Sequence, residues 1–225
     1  LYAAFLAHVP SGGLILDAGC GAGRDSKAFL DRGFRIDAFD ASAELASRAS
    51  LLTGHPVSIQ RFEDFLADAI YDGIWACASL LHVTEDDITR CIATLAQALK
   101  PGGVFYVSFK HGDGQRQVEG RHFTDASEAR LRNWIRAVPD VELMRCWLTE
   151  DARPDRDDLW LNALLRRPRS RSIRLVTGEQ ASPFLPQLSA AMAQATEIDV
   201  AVSFIKVTGL RLLLPDLYAA LARPG

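Results

Sequence analysis

The stretch Leu14-Ile15-Leu16-Asp17-Ala18-Gly19-Cys20-Gly21-Ala22-Gly23-Arg24-Asp25 decides how this 225-residue chain is read. Three apolar residues run into a turn that carries Gly19, Gly21 and Gly23, and a helix-like stretch from Asp25 to Arg32 follows. A strand that passes through a glycine-rich turn into a helix is the nucleotide-binding unit of open α/β sheets. Glycine lets backbone approach a ligand where a Cβ would collide. A helix start adds free N–H groups and a positive dipole end. The turn therefore predicts a nucleotide-like ligand and leaves its identity open.

Three loop types compete. A phosphate-binding P-loop ends in Lys and Ser/Thr, but Arg24-Asp25 follows Gly23. The dinucleotide fingerprint G-x-G-x-x-G needs a third glycine where Arg24 stands. The pattern acidic-x-G-x-G-x-G fits at every position from Asp17 to Gly23, and it resembles motif I of the class I S-adenosylmethionine (SAM) methyltransferases. SAM has a cationic methionine end and no phosphate, so a carboxylate at Asp17 has a use beside it. Leu14 to Ser42, Ser79-Leu80-Leu81-His82-Val83 and Leu99-Lys100-Pro101-Gly102-Gly103 look like the small bacterial class I methyltransferases of the tellurite-resistance type or methyltransferase types 11 and 12. Phe109-Lys110-His111-Gly112, Gly120-Arg121-His122-Phe123-Thr124 and Trp160-Leu161-Asn162 resemble one subfamily of them.

Outward from the loop, apolar runs alternate with helical patterns, which predicts a doubly wound α/β sheet. Strands are expected at Gly13 to Leu16, Phe34 to Phe39, Val57 to Gln60, Gly73 to Ala78 and Val104 to Phe109. A helix carrying Ile88, Cys91, Ile92, Leu95 and Leu99 at 3.6-residue spacing opens on Thr84-x-x-Asp87, which resembles a capping box, and stops at Lys100-Pro101-Gly102-Gly103. A further helix bears Leu131, Trp134, Ile135 and Val138, and two strands, Val141 to Thr149 and Leu159 to Leu165, close the pattern. The expected architecture is a Rossmann-like class I methyltransferase sheet with a C-terminal antiparallel strand pair. A NAD-binding domain more often continues with another strand–helix crossover.

Composition narrows the classes. Hydrophobic residues make up 48% of the chain, enough for a core, and the net charge of −3 gives no overall nucleic-acid signal. No apolar run approaches the roughly 18 residues that span a membrane. Cys20, Cys77, Cys91 and Cys146 form no C-x-x-C pair, so zinc spacing is absent, no metal is expected, and reduced thiols point to the cytoplasm.

Candidate site residues follow from the loop. Asp40, roughly 20 residues beyond it, ends the second strand where an acidic side chain accepts ribose hydroxyls, and Ala41 and Ser42 would flank adenine. The resemblance implies that Phe62, Glu63 and Asp64 hold the adenine ring and its amine. It also implies that Ala18 and Cys20 lie with the glycines along the cofactor, and that Cys77 and Ala78 offer carbonyls to the SAM ammonium. Arg24 matches the SAM carboxylate in bidentate geometry. Methyl transfer needs mainly alignment, with a general base only for an acceptor proton of high pKa. His82, after the fourth strand, is the candidate base or acceptor contact. Lys110, Arg121 and Phe123 lie on a long polar loop expected to act as a lid, with the two cations suited to an anionic acceptor. No Asn-Pro-Pro-Tyr-type motif follows the fourth strand, which disfavours amino-methylation of DNA bases of that kind.

Residues 1–167 thus read as the SAM-dependent methyltransferase domain and 168–225 as an Arg-rich linker with a truncated α/β segment. Arg166, Arg167, Arg169, Arg171 and Arg174 crowd the boundary. Phe184-Leu185-Pro186 through Leu213-Leu214-Pro215-Asp216 looks like the start of a phospholipase-D-like nuclease module of the kind fused to bacterial superfamily 2 helicases, without its His-x-Lys-x₄-Asp motif. That resemblance implies a nucleic-acid partner for a longer parent protein; a solvated linker is the plainer reading. Both ends read as cut from something longer. A non-catalytic SAM-binding module that regulates or targets an attached nuclease–helicase, and a NAD(P)-dependent oxidoreductase, remain as rivals to the enzyme reading.

Overall fold

The computed structural model describes residues 1–118, 120–151, 153 and 156–169. The chain divides into two units, Leu1–Ser170 and Arg171–Gly225. The phospholipase-D-like segment and most of the Arg-rich linker lie outside the described residues.

The first unit is built on a sheet of seven strands in the order β3-β2-β1-β4-β5-β9-β8. Strands β1 (Leu14–Ala18), β2 (Arg35–Asp40), β3 (Ser58–Ile59), β4 (Tyr71–Ala76) and β5 (Leu99–Lys110) run parallel. After β6 (Gln115–Val118) and β7 (Arg121–Thr124), β8 (Glu142–Glu150) and β9 (Leu159–Arg166) complete the sheet. Strand β9 inserts antiparallel between β5 and β8. Helices α1 (Tyr2–Leu6), α2 (Arg24–Leu30), α3 (Ala43–Thr53), α4 (Glu85–Ala98) and α5 (Glu128–Arg136) connect or cover the strands. The five expected parallel strands and the closing antiparallel pair are therefore present, as parts of a Rossmann-like methyltransferase sheet.

Two-residue alternation divides the apolar side chains of each central strand between the two faces of the sheet. Leu16, Ile74, Phe105 and Val107 join one core with the α4 stripe Ile88, Cys91, Ile92 and Leu95 and with Leu131, Trp134 and Ile135 of α5. Their neighbours Ile15, Trp75, Val104 and Tyr106 join a second core with Phe5 of α1 and Phe29 of α2. Trp75 stacks on Tyr106 at 3.9 Å, and Phe5 lies 5.2 Å from Trp75.

Three local features depart from the sequence reading. The Thr84 hydroxyl does not cap α4; it donates to Asp87 Oδ2 at 3.0 Å, while the backbone N–H of Asp87 finds the Thr84 carbonyl. Strand β5 begins at Leu99, because Leu99 pairs with Tyr71 before a register shift brings Val104 opposite Gly73. The polar segment after β5 is not an open loop: β6 and β7 pair as an antiparallel hairpin. Its alternation of Arg, His and Gln with single apolar residues lacks a fully apolar face, which is why its strand character is faint in the sequence.

Candidate functional site

In a parallel sheet, ligands collect at the carboxyl ends of the strands where the chain order reverses. Here β1 delivers Asp17 and Ala18 to that edge, between β2 and β4. The backbone N–H groups of Gly19 and Cys20 donate to the Phe39 carbonyl at 2.9 and 3.0 Å, which stitches the glycine turn to the end of β2. Gly19 has φ +72°, and a Cβ there would lie 2.6 Å from Ser79 Cβ, so only glycine fits. At Gly21 an added Cβ would meet nothing within 4 Å. This part of the turn faces open space, as a cradle for a ligand must.

Asp40 bridges two elements. Its Oδ2 accepts from the Gly21 N–H at 2.8 Å, and its Oδ1 accepts from the Ser42 N–H at 2.9 Å. Ser42 in turn caps α3, its hydroxyl accepting from the Leu45 N–H at 3.3 Å. The expected set Asp40, Ala41 and Ser42 therefore stands beside the glycine turn. Phe62 packs edge-on against Phe39 at 5.2 Å, with its Cζ 3.3 Å from the Cβ position of Gly19, so it closes over the turn. Glu63, half-buried, pairs with Arg61 at 3.3 Å, and that hydrogen bond holds its carboxyl below the usual range. Asp64 is exposed beside it.

Asp17 is 2% exposed and accepts from the Ser26 hydroxyl at 2.6 Å, so it ties α2 to β1 beneath the turn. Burial pushes its carboxyl up to about 7 against the opposing pull of that hydrogen bond. Burial likewise raises the Cys20 thiol to about 12 and the Cys77 thiol to about 11, so both are neutral thiols at neutral pH. All four cysteines are free.

At the end of β4, Ala78 adopts φ +52°, rare outside glycine. Its N–H donates to Ser108 Oγ at 2.9 Å, and Ser108 donates to Cys77 Sγ at 3.8 Å. Ser79 donates to the Ala18 carbonyl at 2.7 Å, locking β4 to the glycine turn.

Arg24 keeps an 83% exposed side chain and donates through Nε to Asp25 Oδ1 at 2.7 Å. Asp25 is buried and also accepts from Tyr2 O–H at 2.7 Å and Trp75 Nε1–H at 2.8 Å. Burial pushes the Asp25 carboxyl upward, but the three donors outweigh it and hold it below the usual range. The sequence shows no sign of this anchor, since Asp25 reads there only as the start of the first helix.

His82 sits on a 3₁₀ turn after β4, exposed, with its ring edge-on to Phe123 at 4.8 Å. Its Nδ1 lies 2.8 Å from the His122 carbonyl. A carbonyl only accepts, so Nδ1 carries a proton, and Nε2 is the ring nitrogen left to accept. The hairpin is pinned behind it: the Thr124 hydroxyl donates to the Val83 carbonyl at 2.8 Å and accepts from His122 Nε2 at 2.9 Å. Glu85 pairs with Arg130 at 2.6 Å and accepts from Gln115, bracing the hairpin root. Phe123 also takes the Arg116 guanidinium over its ring at 5.2 Å. Lys110 differs from the expectation of a free cation, since its ammonium pairs with Asp158 at 2.6 Å with 16% of the side chain exposed. Arg121 is exposed near the hairpin tip. Among the described residues no cluster of His, Cys, Asp or Glu is arranged to hold a metal, and no helix is long and apolar enough to cross a membrane.

The sheet order, the glycine turn at its switch point and the carboxylate ending β2 define the Rossmann-like class I methyltransferase fold. Residues 16–107 match the family model described as "Methyltransferase domain". The chain is 38% identical over 105 residues to the ubiquinone biosynthesis O-methyltransferase of Xylella fastidiosa, covering 44% of this chain and 42% of that protein. It is 28% identical over 116 residues to the 2-methyl-6-phytyl-1,4-hydroquinone methyltransferase of Synechocystis, covering 49% and 36%. The chain thus spans less than half the length of these curated relatives. Among solved structures, the Burkholderia thailandensis 1,6-didemethyltoxoflavin-N1-methyltransferase, with bound 1,6-didemethyltoxoflavin and S-adenosylhomocysteine (SAH), superposes with TM-score 0.61 at 26% identity over 74% of this chain and 76% of that one. A SAM-dependent methyltransferase from Methanosarcina mazei superposes with TM-score 0.66 over 75% and 98%, at 16% identity, which speaks for the fold alone.

Proposed function

We propose that this domain binds SAM and transfers its methyl group to an acceptor that carries an ionisable hydroxyl. The observation that carries the cofactor half is the Asp40 carboxylate clamped between the Gly21 and Ser42 N–H groups, beside a turn with open space at Gly21. A carboxylate so fixed is preorganised to accept the two ribose hydroxyls, and Phe62 offers an apolar face for adenine. Glu63 and Asp64 stand beside it for the exocyclic amine. Cys77 and Ala78, with the strained Ala78 backbone, present the end of β4 to the methionine portion. Bound SAM would supply an activated sulfonium methyl group. The protein's part is to align the acceptor and to remove its proton.

His82 suits the second task. Its Nδ1–H is held by the His122 carbonyl, so Nε2 is the free acceptor that takes a hydroxyl proton. Phe123 beside it provides a flat apolar wall for the acceptor, and His122 and Thr124 hold the hairpin on the same turn. The oxygen-methylating function of the Xylella relative points the same way. The cationic side of the acceptor site rests on Arg121, since Lys110 is engaged by Asp158.

Isothermal titration of the chain with SAH and with NAD tests the cofactor: SAH binding without NAD binding is expected, and the reverse removes this reading in favour of an oxidoreductase. Asp40→Ala is expected to weaken SAH binding by about 1–3 kcal/mol, the cost of stranding buried hydrogen-bond partners. Labelled-methyl transfer to phenolic and other hydroxyl acceptors tests turnover, and its absence on every acceptor pool favours an inert SAM-binding module. With an acceptor in hand, His82→Gln is expected to lower kcat by about 10²–10⁴ without changing SAH affinity.

A further inference from the structure

We infer that Asp25, held by Tyr2 and Trp75, is a positioning residue that keeps the Arg24 guanidinium in a one-point contact and leaves its outer edge for the carboxylate of SAM; the inference rests on the SAM reading above. A guanidinium beside a free carboxylate forms a two-point fork and is consumed by it. Asp25 is not free. Its Oδ2 accepts from Trp75 Nε1–H at 2.8 Å, deep in the second core, and its Oδ1 accepts from Tyr2 O–H at 2.7 Å. Arg24 Nε shares Oδ1 with the Tyr2 hydroxyl at 2.7 Å while Trp75 occupies one side of Oδ2, so Arg24 meets Asp25 through Nε alone. Among the described residues no hydrogen bond reaches Nη1 or Nη2 of Arg24. These two nitrogens form the edge that matches a second carboxylate, and Arg24 opens the helix that follows the glycine turn.

Each holder is itself fixed. Trp75 is 1% exposed and stacks on Tyr106 at 3.9 Å. Tyr2 lies against Phe29 at 5.1 Å and Trp75 at 5.4 Å, with Arg32 over its ring at 5.2 Å. The N-terminal helix α1 thereby sets the reach of a residue at the cofactor turn. Without the Tyr2 hydroxyl, Oδ1 has room for a second guanidinium N–H, and Arg24 is expected to fold onto Asp25.

The test compares SAH with 5′-methylthioadenosine, which shares the adenosine and thioether but lacks the amino-acid carboxylate. Titration of the whole chain is expected to show tighter binding of SAH. Arg24→Met should weaken SAH by about tenfold or more, the scale of a charge-assisted pair, and leave 5′-methylthioadenosine within about twofold. Tyr2→Phe keeps the ring packing and should weaken SAH about three- to tenfold, again sparing 5′-methylthioadenosine. In the Arg24→Met background, Tyr2→Phe should have no further effect on SAH. Equal weakening of both ligands by Tyr2→Phe would mean that the tyrosine only stiffens the fold, and would overturn the inference, as would no effect on SAH. Equal affinity of the unaltered chain for the two ligands overturns the Arg24 pairing but leaves the cofactor reading standing. Binding of neither overturns both.

Discussion

Single side chains at this sheet edge do unequal work. Asp17 reads in the sequence as the acid of a cofactor motif, and in the structure it is a buried carboxylate bonded to Ser26. Its folded-state value, raised to about 7 by burial, exceeds the unfolded value of roughly 4. The folded chain therefore holds more protons than the unfolded chain between these values, and the contribution to stability is full below pH ~4 and lost as pH rises to ~7. Chemical denaturation across pH 4–7 should show this decline, and Asp17→Asn should flatten it; an unchanged slope would show that Asp17 is not its source. Asp40 shows the opposite kind of residue, half-buried and bonded to two backbone N–H groups on different elements, so its substitution should tell on ligand affinity. Both acids stand out in the sequence, Asp17 through the resemblance of its loop to motif I and Asp40 through its spacing from that loop. The sequence did not reveal Asp25, because the hydroxyl and indole that define Asp25 come from residues 23 positions before it and 50 after it.

At the scale of elements, the hairpin of β6 and β7 is the part on which the proposed acceptor side rests. It adds no strand to the main sheet, and it stands on the 3₁₀ turn after β4 through Thr124, His122 and His82. Thr124 is fully buried. Thr124→Val keeps the shape but strands the Val83 carbonyl and the His122 ring N–H, and is expected to cost about 1–3 kcal/mol. Denaturant unfolding measures that loss, and faster amide exchange confined to 115–124 would mark it as local. Loss spread evenly over the sheet would instead mean that the hairpin is part of the main cooperative unit. The same prediction bears on turnover, since a loosened His122 carbonyl no longer fixes the Nδ1–H tautomer of His82.

At the scale of the whole first unit, the described residues form two cores separated by the sheet, and its stability rests on both. The second core rests on aromatic rings from α1, α2, β4 and β5. Phe5 is fully buried against Phe29 and Trp75, so Phe5→Ala should cost about 3–5 kcal/mol by transfer and cavity formation. Denaturant unfolding would show it; a loss well under 1 kcal/mol would mean that α1 is not an integral part of the second core. The sequence by itself determined the strand–turn–helix opening, the five parallel strands and the closing pair, because each is written in short-range periodicity and in glycine and carboxylate spacing. It also marked the glycine turn and Asp40, which lie within one strand–helix–strand unit. Only the tertiary structure decided which cations remain available and which acids are anchors. Lys110 is taken by Asp158, Arg24 is held to one contact by Tyr2 and Trp75 through Asp25, and His82 receives its tautomer from a carbonyl 40 residues away. These assignments depend on hydrogen-bond partners that folding brings together from distant positions, and no local pattern in the chain encodes them.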